Sequence, residues 1–243
     1  MIILGIAFSH NGSVSLIKDG KIIVAIQAER LTRVKRQSID MDKNLFALEK
    51  CLNYCLTSAG LTINDIDCAA ISTPWKIEKF KEFDNWINQK TTKKNIIVKS
   101  VSHHLAHAEY VTHFGENING LICISDGSGS YGDDHSAIDL KDTSDDDLQL
   151  NSKGLSQTKE TISIYKYNDK KIIPKFKIFS ANTEIIKFQN TPPSSFFHSV
   201  GHVWEIASQI IFKERNQAGK VMGLLGYNKN NIDIKFLDFD ESL

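Results

Sequence analysis

Residues 1–28, MIILGIAFSHNGSVSLIKDGKIIVAIQA, hold apolar runs at 2–8, 13–17 and 21–28 with short polar breaks between them. Runs this short and this rich in Ile and Val predict strands rather than helices. Asp19-Gly20, between the second and third runs, is a two-residue hairpin signal, because a type I′ turn needs positive φ at both central residues. The break between the first and second runs, Ser9-His10-Asn11-Gly12, is a polar turn. Strands joined this tightly pair antiparallel. The chain is therefore expected to open with a three-stranded antiparallel sheet, followed by a charged segment, Glu29 to Lys35, that leaves it.

Beyond this opening the pattern alternates between strand and helix. Leu45, Phe46, Leu48, Cys51, Leu52, Cys55 and Leu56 have helical spacing over 43–59, and Gly60 stands where a C-cap would. Thr62 to Asp65 leads into a buried strand over 66–73. A polar helix over 76–88, a strand over 95–100, a helix from His103 to about 114 and a continuous apolar strand over 120–125 follow. Residues 141–160 are polar and include Asp145-Asp146-Asp147, which reads as a solvated loop. Strands over 161–167 and 171–179 predict a hairpin around Asn168-Asp169. Gln189 to Ser195, with Pro192-Pro193, reads as a turn or linker, and 196–212 as a helix. The last fifteen residues offer a short strand at most, and no internal repeat is evident. The pattern predicts an α/β fold with a mixed sheet, divided into a first lobe over 1–140 and the start of a second over 141–243.

Composition narrows the function. The chain has 243 residues with 29 Lys plus Arg against 29 Asp plus Glu, so it lacks the basic footprint of a nucleic-acid binder. Hydrophobic residues make up 41%, enough for a sizeable core. No apolar run reaches the length that spans a membrane, and the start does not read as a signal peptide, since it lacks a basic leader. Cys51 and Cys55 fall on one helix face, where small buried residues are the plain reading. With Cys68 and Cys123 they suit a reduced, cytoplasmic protein.

Several short motifs carry chemistry. His103-x-x-x-His107 places two imidazoles on one helix face, close enough to chelate a metal ion, while His104 points elsewhere. Asp126-Gly127-Ser128-Gly129-Ser130 follows an apolar strand. There Asp126 can hold a metal, and the glycines let backbone N–H groups approach a phosphate. His10-Asn11-Gly12-Ser13 offers Ser and backbone amides to a phosphate and His10 as a proton donor. The Gly-Lys loop Gly219-Lys220-Val221-Met222-Gly223 presents Lys220 as a point charge for a phosphate, although it is not a Walker loop. Within Glu29 to Arg36, Arg30 and Arg33 are placed to clamp an anionic group.

Read in order, these motifs resemble the O-carbamoyltransferases of nodulation-factor and antibiotic biosynthesis (the NodU/CmcH type). The matching residues are Leu4-Gly5-Ile6, His10-Asn11-Gly12-Ser13, Asp19-Gly20, Ala28 to Lys35, His103 to Ala108, Asp126 to Gly129 and Gly219 to Leu224. Asn11 stands where the family has Asp, Ala28 where it usually has a second Glu, and Leu225-Gly226-Tyr227-Asn228 departs from its pattern. The resemblance implies an actin-like ATPase (RNase H-like) fold, present here in part. It implies a divalent metal on His103, His107 and Asp126, iron first and zinc as an alternative. Asn11, Gly12, Ser13, Gly127, Ser128, Gly129 and Lys220 are expected around the nucleotide of a carbamoyl-adenylate, with His10 and Arg33 in catalytic roles. The implied reaction passes a carbamoyl group, drawn from carbamoyl phosphate and ATP, to a hydroxyl of a small-molecule acceptor. Family members are more than twice as long, so a carboxyl-terminal half or companion subunit is expected. Two other readings stand beside this one. One is a non-catalytic metal- and nucleotide-binding module or split subunit. The other is a tRNA threonylcarbamoyl-transferase-like protein, which the neutral charge disfavours.

Overall fold

The structure is a computed structural model that describes residues 1–74, 78–92, 95–114, 119–132, 148–149, 158–168, 171–186, 194–197, 199–214 and 217–227. Strands β1 (Ile2–Ala7), β2 (Ser13–Lys18) and β3 (Lys21–Gln27) pair antiparallel in sequence order, as their patterning predicts. Asp19 and Gly20 both have positive φ, 50° and 79°, as a type I′ turn requires. Strands β4 (Cys68–Ser72) and β5 (Ile97–Val101) then join on the far side of β1, both parallel to it. The sheet order is β3-β2-β1-β4-β5. Strand β2 alone runs against the others, the arrangement expected of an actin-like lobe.

Helices cover one face of this sheet. After the short α1 (Ala28–Thr32) come α2 (Leu45–Ala59) and α3 (Glu78–Lys90). Gly60 ends α2 in the left-handed region, with its N–H on the carbonyls of Leu56 and Thr57. Alternate strand residues Leu4, Ile6, Val14 and Leu16 meet Leu48, Cys51, Leu52 and Cys55 of α2 and Phe83 and Ile87 of α3 in one apolar core. Cys51 and Cys55 are thus core residues, and burial pushes both thiols up to about 11. The opposite face of the sheet, with Gly5, Ala7, Ser13, Ser15 and Ala70, lines an open groove of 590 Å³.

Helix α4 (His103–Phe114) carries the chain to β6 (Gly120–Ser125) in a second sheet. Its other strands are β7 (Leu148–Gln149), β8 (Thr158–Asn168), β9 (Lys171–Ile186) and β10 (Ser194–Phe197), in the order β10-β9-β8-β6 with β7 beside β9. Helices α5 (Val200–Phe212) and α6 (Ala218–Leu225) close the described chain. The second sheet begins at Gly120, before the division at 140 expected from the polar insertion. Strands β6, β8 and β9 again pair antiparallel in sequence order, so a topological repeat exists where the sequence shows none.

Two expectations need correction. Residues 196 and 197 are the end of a strand, and α5 starts only at Val200, where the Ser199 hydroxyl accepts the His202 N–H. Gly219 to Gly223 lies inside helix α6 rather than in a loop. The start of the helix expected at 76, the Asp145-Asp146-Asp147 run, Asp169, Pro192-Pro193 and the last fifteen residues lie outside the described residues. Among the described residues, no helix is long and apolar enough to cross a membrane.

The first turn is fixed by a strap. Gly12 N–H donates to Gln37 O at 3.0 Å, Ile39 N–H to Ser9 O at 3.3 Å, and Ala28 N–H to Gly12 O at 2.8 Å. A Cβ at Gly12 would sit 2.6 Å from the Ile39 nitrogen. Gly12→Ala is therefore expected to cost about 1–3 kcal/mol through overpacking, read as a lower urea midpoint at unchanged m-value. A midpoint equal to wild type would show that the strap is not docked on the turn.

Candidate metal centre

Helix α4 starts directly after β5 and presents His103 and His107 one turn apart. Their rings lie 4.7 Å apart at 85°, with the two Nε2 atoms 3.3 Å from each other. Asp126, the first residue after β6, brings its Oδ2 to 3.1 Å from His103 Nε2. The three candidate ligand atoms fall within 4.8 Å of one another. Metal–ligand bonds of about 2.0–2.2 Å place neighbouring donors around one ion roughly 3–3.5 Å apart, so two of the three separations already suit a shared ion.

The electrostatics agree with that donor set. Burial acts to raise the Asp126 carboxyl, but the hydrogen bond and charge of His103, the Gly127 N–H and His104 outweigh it and bring Asp126 down to about 2. Burial, then repulsion from His103, lowers the His107 pKa below the ordinary 6.5, favouring its neutral, metal-binding form. His104 turns away from the pair and is fully buried. Its Nδ1 meets Ser163 Oγ at 2.8 Å, and burial lowers its pKa to about 4, leaving it neutral near pH 7.

The two expected phosphate turns are arranged differently from the expectation. Gly127 N–H is held by Asp126 Oδ1 at 2.6 Å, and Gly129 N–H donates to Glu160 O at 2.8 Å, so neither amide is an open anion donor. A side chain at Gly129 would strike Glu160, and one at Gly201 would strike the backbone of Gly127. These glycines permit close packing. Ser128 is half-buried between them. Gly12 likewise has its N–H on Gln37 O at 3.0 Å, and Ser13 faces the groove on the other side of the first sheet.

What remains of the first turn does reach the site. His10 and Asn11, the latter with φ 61°, line a cleft of 700 Å³ together with Asp126, Gly127 and Arg36. Trp204 and Glu205 of α5 and Ala218 and Met222 of α6 form its other wall. Lys220 lies two residues from both Ala218 and Met222, hence on another face of α6, and its ammonium sits 5.6 Å over the Phe212 ring. Arg33 caps α1 in the exposed left-handed position. Neither is among the described residues that line the cleft, whereas Arg36 is. Sequence reasoning also passed over Ser199 and His202. Ser199 Oγ donates to Gly127 O at 2.8 Å and accepts the His202 N–H at 3.2 Å. The Ser-x-x-His spacing ahead of an apolar run was the available signal for this cap.

The sign of the Asp126 shift gives a test. A carboxylate held below its ordinary 3.8 adds stability that is present above that value and is lost as pH falls through about 2. In metal-free buffer the stability gap between wild type and Asp126→Asn is expected to be widest above pH 4 and to close toward pH 2 in urea titrations. A gap independent of pH would mean that Asp126 is not held ionised by His103.

Comparison with known proteins bears on the family. The sequence profile of the family described as Carbamoyltransferase N-terminus matches residues 2–157. The nodulation protein NolNO of Sinorhizobium fredii is 36% identical over 63 residues, which are 26% of this chain and 8% of that protein. An uncharacterised protein of Methanocaldococcus jannaschii is 31% identical over 131 residues, 52% of this chain and 22% of that protein. The matched stretches thus span less than a quarter of either relative. Among solved structures, YeaZ from Pseudomonas aeruginosa aligns with a TM-score of 0.42 at 10% identity, covering 80% of this chain and 67% of that one. A Porphyromonas gingivalis protein assigned as an N-acetylglucosamine kinase aligns with a TM-score of 0.38 at 12% identity, covering 94% and 63%. Both likenesses are too slight to bear on function.

Proposed function

Since this chain belongs to the carbamoyltransferase amino-terminal family, we propose that it builds the metal-binding wall of the transfer site in an O-carbamoyltransferase. The observation that carries the reading is the convergence of His103, His107 and Asp126 within 4.8 Å beside an open cleft. The substrates are a carbamoyl-adenylate, made from carbamoyl phosphate and ATP, and a small molecule with a free hydroxyl. The part that forms the adenylate lies on a longer chain or a companion subunit. The acceptor oxygen bonds to the carbamoyl carbon, the bond from that carbon to the adenylate oxygen breaks, and AMP leaves as the hydroxyl proton passes to a base.

His103, His107 and Asp126 hold a divalent ion, iron or zinc, and that ion supplies a Lewis acid for the carbamoyl carbonyl. His10, at the same cleft, is placed to take the acceptor proton. Arg36 offers its guanidinium to the adenylate phosphate, a planar donor fork suited to that group. Asn11 stands in place of the family's Asp, so the first turn contributes an amide rather than a further carboxylate. A net charge of zero favours a small alcohol over tRNA as acceptor. The cytoplasm suits a donor made from ATP and a chain whose four cysteines are free.

The test is metal content by elemental analysis, followed by transfer assays. Wild type should carry about one iron or zinc per chain, and His103→Ala/His107→Ala should carry none. Supplied with carbamoyl-adenylate, a panel of alcohols and the complementing part, the double variant should lose at least about 100-fold in product formation. Metal retention should fall in acid, because protons compete for the imidazoles. A wild-type protein that takes up neither ion, or a double variant with full turnover, rules the reading out.

A further inference from the structure

We propose that Glu160 and Lys177 are positioning residues of the metal centre, with the buried Glu160 carboxylate joining the helix that carries His103 and His107 to the turn that carries Asp126. The inference rests on the metal reading above. Both side chains are 0% exposed, and Lys177 Nζ lies 3.1 Å from Glu160 Oε2. The other oxygen, Oε1, accepts two backbone N–H groups from separate segments: His104, in the first turn of α4, at 3.0 Å, and Ser130, at the end of the Asp126 turn, at 3.1 Å. The backbone of the same residue reinforces the link, since Glu160 N–H donates to Ser130 O at 3.0 Å and Gly129 N–H donates to Glu160 O at 2.8 Å. Ser130 adds a second tie. Its hydroxyl accepts the His103 N–H at 3.0 Å and donates to Thr73 O at 3.0 Å.

Lys177 completes the device. Its three N–H donors meet Glu160 Oε2, Ser163 Oγ at 3.2 Å and Tyr165 OH at 2.8 Å, and Ser163 Oγ in turn meets His104 Nδ1 at 2.8 Å. Glu160 is not itself a ligand, because it is sealed from the cleft with both oxygens engaged. Stability alone does not call for this arrangement, since well-packed apolar residues replace buried ion pairs without loss in many proteins. Apolar residues cannot, however, accept two N–H groups from two segments and so hold the ligands they bear at a fixed separation. Partners of this kind behind metal ligands contribute about 10–100-fold to metal affinity.

The probe is Co²⁺ bound to the full chain, followed by its affinity and its visible ligand-field spectrum. Glu160→Gln/Lys177→Met keeps a carbonyl oxygen for the two N–H groups and removes both charges together. Glu160→Leu/Lys177→Met removes the acceptor as well. The first pair is expected to bind Co²⁺ within about 3-fold of wild type, and the second at least about 10-fold more weakly with an altered spectrum. Equal affinity and spectrum in the two folded double variants overturn the proposal. Should the Leu/Met pair fail to fold, Glu160→Asp decides, because it draws the carboxylate back from the His104 and Ser130 N–H groups. It is expected to weaken Co²⁺ binding about 10-fold in a folded protein, and an unchanged affinity and spectrum overturn the proposal. Wild type that binds no Co²⁺ sinks the metal reading and this proposal together, whereas wild-type binding with indifferent variants sinks this proposal alone.

Discussion

A carboxylate with no exposed surface constrains everything packed around it. Taking Glu160 and Lys177 out of water costs several kcal/mol per ion, and only complete hydrogen bonding with mutual pairing offsets it. The surrounding residues follow from that need. Gly129 lacks the Cβ that would occupy the carboxylate's place. Ser163 and Tyr165 supply oxygens to Lys177 from the same strand as Glu160. Along β8, Thr158, Lys159, Glu160, Thr161 and Ser163 are all buried. The first sheet is held by an apolar core against two helices, while the second, beside the candidate metal site, adds a polar cluster around Glu160 and Lys177 to its own apolar one. A polar core fixes directions as well as distances, because each hydrogen bond is lost once its angle strays.

The two sheets meet where their first strands end. Strand β1 runs out into the turn of His10 and Asn11, strand β6 into the turn of Asp126 and Gly127, and all four residues line one cleft. Each of those strands begins a meander of three antiparallel strands in sequence order. In the first meander the link is a short turn strapped by residues 37–39. In the second it runs from Asp126 to the start of β8 at Thr158. This difference hides the repeat at the level of sequence. Pairing geometry requires only period-two patterning, which many unrelated sequences satisfy, and the long link destroys any common spacing.

What could be read in the sequence had local causes. The opening meander was legible because Asp19-Gly20 fixes a turn by itself and the runs beside it are apolar. Helix α2 was legible because its apolar stripe is complete and Gly60 caps it. The His103–His107 pair was legible because helical spacing alone brings i and i+4 together. The neighbourhood of Asp126 followed from motif order and is realised at 3.1 Å. The misreadings involve direction or distant contact. Lys220 was read as a loop residue, but two positions along a helix turn a side chain well away from its neighbours' face. Arg33 and Arg36 belong to one charged run, and which of them meets the cleft depends on the left-handed residues that redirect the chain there. The glycines of the two turns were read as open to a phosphate. In the fold Gly12 makes room for Ile39 and Gly129 for Glu160, partners that no local pattern can announce. Ser194–Phe197 carries apolar residues in phase with the helix that follows, so periodicity absorbed a strand into it.

Proton counting on His103, His107 and Asp126 supports the metal-binding reading proposed above. His103 Nε2 lies 3.1 Å from Asp126 Oδ2 and 3.3 Å from His107 Nε2. A neutral imidazole nitrogen carries either one proton or one lone pair. With a proton on His103 Nε2, the bond to Asp126 forms, but the nitrogen has no lone pair left for a proton on His107. Without one, it can accept from His107, but it then faces the Asp126 carboxylate lone pair to lone pair. Protonating His107 supplies no acceptor at His103 Nε2, and burial, followed by the neighbouring imidazole, lowers its pKa. No neutral tautomer makes both of these contacts hydrogen bonds, and α4 and the Asp126 turn are tied together from behind. A divalent ion accepts three lone pairs at once, so a bound ion would engage all three groups together, which favours the proposed metal site.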